Sequence, residues 1–150
     1  SNKVVFPAPL GPIIADIDPF SCTHLIYSFA GLEPDSLTIM SMDTEEDITK
    51  GGFSIEWRIL NALNSLFQGS YKAAIGLKKK NPKLKVMLAI GGWNEGGKKY
   101  SAMAKSKQSR DSFIDSVVEF LSEHSFDGFD LDWEYPGAQV DQQLIDNRKK

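Results

Sequence analysis

The sequence predicts an α/β fold in which parallel strands are joined by crossover helices, and three observations carry that expectation. Short apolar runs of strand character recur at Val4–Phe6, His24–Ala30, Leu84–Ile90 and Phe126–Trp133. Between them lie stretches whose apolar residues repeat at helical spacing. The last run also sets acids at every second position, a two-residue period that a strand has and a helix lacks. Strands and helices taken in turn imply parallel strands joined by crossover helices.

The elements follow in order. Val4–Phe6 reads as a short first strand, and His24–Ala30, rich in apolar and aromatic residues, as a second. Ser70–Lys80 reads as a helix closed by Asn81-Pro82, since the residue before a proline is steered out of the helical region. Leu84–Ile90 reads as a third strand and contains the longest apolar run, Val86–Ile90. Ser109 can cap a helix on which Phe113, Ile114, Val117, Val118 and Leu121 recur at helical spacing. Phe126–Trp133 then forms the fourth strand. Residues 51–69 interrupt this alternation, and Ile55, Ile59, Leu60, Leu63, Leu66 and Phe67 there could form an amphipathic helix or belong to translated non-coding sequence.

Chemistry concentrates in Asp127-Gly128-Phe129-Asp130-Leu131-Asp132-Trp133-Glu134-Tyr135-Pro136-Gly137. On a strand rising about 3.3 Å per residue, Asp130, Asp132 and Glu134 share one face and Phe129, Leu131 and Trp133 the other. Adjacent carboxylates repel and their burial is unfavourable, so a purely structural strand gains nothing from three of them. Glu134 stands last, just before the Tyr-Pro-Gly turn, at the C-terminal end where parallel α/β sheets bind substrates. Asp127 lies three positions before Asp130, on the other face of a regular strand unless Gly128 introduces a bulge, and takes a supporting role.

Other readings compete. A solvent-facing edge strand alternates in the same way, but the adjoining Phe129, Leu131 and Trp133 speak against it. A calcium loop counted from Asp130 needs glycine where Tyr135 stands. Magnesium-dependent phosphoryl transfer lacks a glycine-rich phosphate loop ending in Lys and Ser or Thr. His24 and His124 lack zinc or triad partners in the sequence and read as structural. No metal or cofactor is expected. The net charge of -3 and pI near 5.4 argue against nucleic acid as partner. The basic run Lys78–Lys80, with Lys83 and Lys85, coincides with a helix end, where cations complement the dipole. The longest apolar run, Val86–Ile90, is too short to cross a membrane, and no charged-then-apolar leader opens the chain, so a soluble protein is expected.

DGFDLDWEYPG resembles the active-site pattern Asp-x-x-Asp-x-Asp-x-Glu of the family 18 glycoside hydrolases, the chitinases and their relatives. CTHLIYSFAGL, Cys22 to Leu32, resembles the second barrel strand of that family. NPKLKVMLAIGGWNEG, Asn81 to Gly96, resembles the third strand with its Gly-Gly-Trp loop. The resemblance implies a TIM (β/α)8 barrel, of which 150 residues can hold roughly the first four β/α units, because eight need about 200 to 250 residues or more. Residues 1–150 are then expected to be an incomplete catalytic domain with 51–69 as an insertion, either a fragment of a longer protein or an incomplete gene model, and inactive alone.

By resemblance the substrate is chitin or its oligosaccharides, β-1,4-linked N-acetylglucosamine, cleaved with retention. Glu134 is the general acid and base, and the 2-acetamido carbonyl of the sugar is the nucleophile. Asp132 orients that acetamido group and Asp130 supports Asp132. Gly91, Gly92, Trp93, Asn94 and Tyr135 line the cleft, with Trp93 as a stacking platform, and Tyr27 faces the acid row from below. A chitin-binding lectin of the same fold and an endo-β-N-acetylglucosaminidase share these features, although lectin relatives usually lose the acid at the Glu134 position. The resemblance also implies an extracellular protein. Secreted members usually pair the residue at the Cys22 position with a cysteine in the first strand, but Lys3–Pro7 has none, so cysteine usage leaves the compartment open.

Overall fold

The computed structural model describes residues 3–7, 14, 16–44, 47–48 and 69–136. Its centre is a mixed five-stranded sheet: β1 (Lys3–Pro7), β2 (His24–Leu32), β3 (Ile39–Ser41), β4 (Lys85–Gly91) and β5 (Gly128–Asp132). The spatial order β1-β2-β4-β5 is parallel throughout, and the short β3 pairs antiparallel with the last three residues of β2. The four expected strands are therefore present, parallel and in sequence order. All four end on one side of the sheet, which is what brings distant parts of the chain to a single site.

Register decides which side chains share a face. Tyr27 pairs with Leu88 and Leu88 with Phe129; Ser28 pairs with Ala89 and Ala89 with Asp130. Leu25, Tyr27, Val86 and Leu88 join the core under the helices α1 (Ser70–Gly76), α2 (Lys98–Ala104) and α3 (Lys107–His124). Ile26, Ser28, Met87, Ala89, Gly128 and Asp130 belong to the opposite face. The helix-side core is dense: Leu25, Leu84, Val86, Leu88 and Ile90 are all buried, and each such side chain stabilises by about 1.5–3 kcal/mol relative to exposure. Tyr71 of α1 sits at its centre, packing edge-on against Tyr27, Phe126 and His124 at centroid distances of 5.1, 5.2 and 5.3 Å. His124 thus fills an aromatic cluster, and His24 holds Thr23 Oγ1 at 2.9 Å through Nδ1.

The helices differ from expectation in instructive ways. The helix from Ser70 runs as α up to Gly76 and tightens into a 3-10 turn at Leu77–Lys79 before Asn81-Pro82. α3 is capped by Ser106 rather than Ser109. Ser109 is the third helical residue, and the two serines complete a reciprocal capping box. On α3, Phe113 and Val117 are buried and Leu121 half-buried, whereas Ile114 and Val118 are exposed. The helical period is right, but the covered stripe is narrower than five residues. Residues 51–68 lie outside the described part. Their flanks meet, because a Cβ on Gly69 would overlap the Asp47 carbonyl.

Candidate active site

The C-terminal strand ends are built around two glycines. β4 closes on Gly91 and Gly92 with φ of 111° and 79°, a region that residues bearing a Cβ avoid. Space forbids a side chain as well. A Cβ on Gly91 would overlap the Asp132 carbonyl, and one on Gly92 would come within 2.9 Å of the Phe29 ring. The Gly92 N–H donates to the Asp132 carbonyl at 2.8 Å, tying the end of β4 to the end of β5. The loop then passes over the β5 exit, where a Cβ on Gly97 would lie 3.2 Å from Trp133 Nε1 and 3.7 Å from the Glu134 carbonyl. The Ser28–Phe29 and Glu134–Tyr135 peptides at this end are cis.

Around this scaffold the acids and rings converge. Asp130 and Asp132 pair with Ala89 and Gly91 and therefore stand on the face away from the helices, beside the two smallest residues of β4. Glu134 follows two positions beyond the last strand pair, half-buried. Among the described residues none of these three carboxylates holds an ion pair. Trp93, 38% exposed, and Tyr135, 52% exposed, stand edge to face with centroids 6.4 Å apart, and Asn94 is exposed beside Trp93. Acid row, glycine turn and paired aromatic rings thus share one end of the sheet. Such an end sets carboxyl groups and an apolar platform side by side. Among the described residues no group of three His, Cys, Asp or Glu side chains could hold a metal ion.

Two predicted positions fall elsewhere. Tyr27 does not face the acid row: its register with Leu88 and Phe129 sends it into the helix-side core, where its hydroxyl donates to Asp47 Oδ1 at 2.6 Å. Burial, and next the bond to Asp47, push that hydroxyl well above the ordinary tyrosine range, so it remains a neutral donor. Asp127 stands before β5, at the opposite end from Glu134. It accepts the Val86 N–H at 2.9 Å and pairs with Lys78 at 2.6 Å and Lys85 at 3.5 Å. Burial raises its carboxyl, but the Lys78 bond, the Val86 N–H and the two lysine charges outweigh it and hold the group below the usual carboxylate range. Its support is for the entry of the strand, not for the acid row.

Sequence reasoning also missed two carboxylates. Asp47 is buried, taking donors from Tyr27 and Ser41 Oγ, the latter at 2.7 Å. Glu95, within the Gly-Gly-Trp loop, has a side chain only 6% exposed and holds three donors. Asp47 is recognisable mainly through Tyr27, remote in the chain; Glu95 has a local i,i+4 partner in Lys99, but its bond to Leu32 is remote.

The described residues form a largely parallel α/β sheet with a carboxylate row and exposed rings at its C-terminal strand ends. Residues 5–148 match the Glycosyl hydrolases family 18, and the chain belongs to that family. It is 41% identical over 139 residues to an endochitinase of Manduca sexta, a match covering 92% of this chain and 22% of the relative. The Ostrinia furnacalis Group IV chitinase in complex with allosamidin superposes with a TM-score of 0.68 at 33% identity, over 92% of this chain and 34% of that one. Human YKL-39, a pseudo-chitinase with retained chitooligosaccharide binding, superposes with a TM-score of 0.62 at 35% identity, over 89% and 32%. The chain therefore spans about a fifth of the curated relative and a third of the solved ones.

Proposed function

We propose that this chain supplies the first four β/α units of a (β/α)8 barrel whose cleft hydrolyses β-1,4-linked N-acetylglucosamine polymers with retention, residues 51–69 being an insertion. The observation that carries the reading is the row of Asp130 and Asp132 on the face of β5 away from α1, α2 and α3, with Glu134 immediately beyond, next to the Gly91-Gly92-Trp93 loop. Glu134 protonates the leaving glycosidic oxygen and then, as base, activates water. The sugar's own acetamido oxygen closes onto the anomeric carbon in between. Asp132 orients the acetamido group and Asp130 supports Asp132 from one position deeper on the same face. Trp93, Asn94 and Tyr135 receive the sugar chain, and Gly91 and Gly92 let the loop approach it. An extracellular site of action goes with this reading.

A binding-only role is the second reading, because YKL-39 is a pseudo-chitinase that retains oligosaccharide binding. Retention of Glu134 favours the enzyme. An endo-β-N-acetylglucosaminidase acting on N-glycan cores has the same acid row. The full-length protein is to be incubated with the N-acetylglucosamine tetramer and with an N-glycan, and the first-formed anomer read by NMR. Release of the β-anomer from the tetramer is expected. An inverted product would remove the substrate-assisted route, and binding without hydrolysis would establish the lectin reading.

A further inference from the structure

We propose that Glu95 is a positioning residue that fixes the Trp93 ring at the rim by clamping the β4–α2 loop onto the end of β2. The carboxylate is saturated. Its Oε2 accepts the Leu32 N–H at 3.1 Å and the Tyr100 hydroxyl at 2.8 Å, and its Oε1 accepts Lys99 Nζ at 2.5 Å. Lys99 Nζ also donates to the Leu32 carbonyl at 2.8 Å. The Glu95–Lys99 pair therefore occupies both backbone groups of Leu32 at once, one helical turn apart in its own segment. A carboxylate whose side chain is only 6% exposed is unfavourable unless donors surround it, and here the donors come from two elements, Leu32 of β2 and Lys99 and the buried Tyr100 of α2.

That saturation leaves the loop few alternative positions. The Glu95 N–H donates to the Gly92 carbonyl at 3.1 Å, closing a turn in which Trp93 and Asn94 are the two central residues. Holding Glu95 thus holds the backbone that aims Trp93. Gly31 makes room for the clamp: a Cβ there would overlap Met42 Sδ and stand 3.4 Å from Glu95 Oε1. Among the described residues no hydrogen bond or ion pair joins Glu95 to Asp130, Asp132 or Glu134, and its effect on sugar is assigned to the aim of Trp93.

The affinity arm of the test rests on the carbohydrate reading above; the exchange arm does not. In the full-length protein, Glu95→Ala is expected to weaken binding of the N-acetylglucosamine tetramer about tenfold, while kcat on a short activated substrate stays within about twofold. Glu95→Gln, which still accepts from Leu32 and Tyr100, recovers most of the loss. Combined with Trp93→Ala, Glu95→Ala adds no further loss, because both act on one platform. Hydrogen exchange of residues 92–97 accelerates at least about tenfold in Glu95→Ala, with residues 86–90 unchanged. Additive affinity losses, an equal fall in kcat, or loss of protection across the whole sheet overturns the proposal. If the unmodified protein does not bind the tetramer, the carbohydrate reading falls, and selective or unselective exchange alone upholds or overturns the clamp.

Discussion

The two ends of β5 carry the same residue type in opposite circumstances. At the entry, Asp127 is saturated by the Val86 N–H and two lysines. At the exit, Asp130, Asp132 and Glu134 hold no ion pair among the described residues, though the neighbouring Gly91 and Gly92 leave no room for a side chain. A carboxylate that stabilises a fold uses up its acceptors on the protein. One that acts on a substrate must keep them available, and the scaffold then needs stabilising by other means: here the Gly91-Gly92 turn and the Glu95 clamp. Position along one short strand therefore separates structural from chemical acids more sharply than residue identity does.

Breaking the exit scaffold should have the largest effect on stability. Gly91→Ala combines a positive φ with overlap on the Asp132 carbonyl and is expected to lower stability by about 2–4 kcal/mol in denaturant titration. A loss under about 0.5 kcal/mol would mean that the β4 and β5 exits are not locked together. At the entry, Asp127→Ala should lower stability by about 1–2 kcal/mol, since it leaves the Val86 N–H unpaired and two partly exposed lysines without their partner.

The entry acid also carries a pH signature. Because its folded carboxyl lies below the unfolded value, its contribution is complete above the unfolded value and is lost as pH falls through the folded one, below the usual carboxylate range. Asp127→Asn should flatten this acid limb of the stability curve, and an unchanged limb would assign it to other groups. The smallest effect is expected away from both ends. Because Asp47 and Gly69 meet, deleting residues 51–68 should shift stability by less than about 1 kcal/mol, and a large loss of cooperativity would show that the segment belongs to the core.

What the sequence made legible follows from local periodicity. The acid row announced itself because alternation on a strand is strict, and the glycines before Trp93 because few other residues take a positive φ. Tyr27 was misplaced because His24–Ala30 is apolar almost throughout, so its sequence does not say which face meets which neighbour; only pairing with Leu88 and Phe129 does. β3 has three residues, too few for a period, and exists because Ala30–Leu32 offers it a partner. α2 buries only Tyr100 and Met103 and begins at Gly97 without a side-chain cap, so its signal is weak. Asp47 depends on Tyr27 and Glu95 on Leu32, partners remote in sequence that no local pattern reports, although the Glu95–Lys99 spacing is local.

The contrast between the ends of β5 is tested most directly by Asp127→Asn and Glu134→Gln measured together in the full-length protein, each for thermal stability and for turnover of the N-acetylglucosamine tetramer. The account predicts a crossed result. Asp127→Asn lowers the midpoint of unfolding and leaves turnover within about twofold, while Glu134→Gln leaves the midpoint unchanged and lowers turnover by about 10²–10⁴-fold. Turnover within about tenfold of the parent in Glu134→Gln, or loss of turnover without loss of stability in Asp127→Asn, would contradict it.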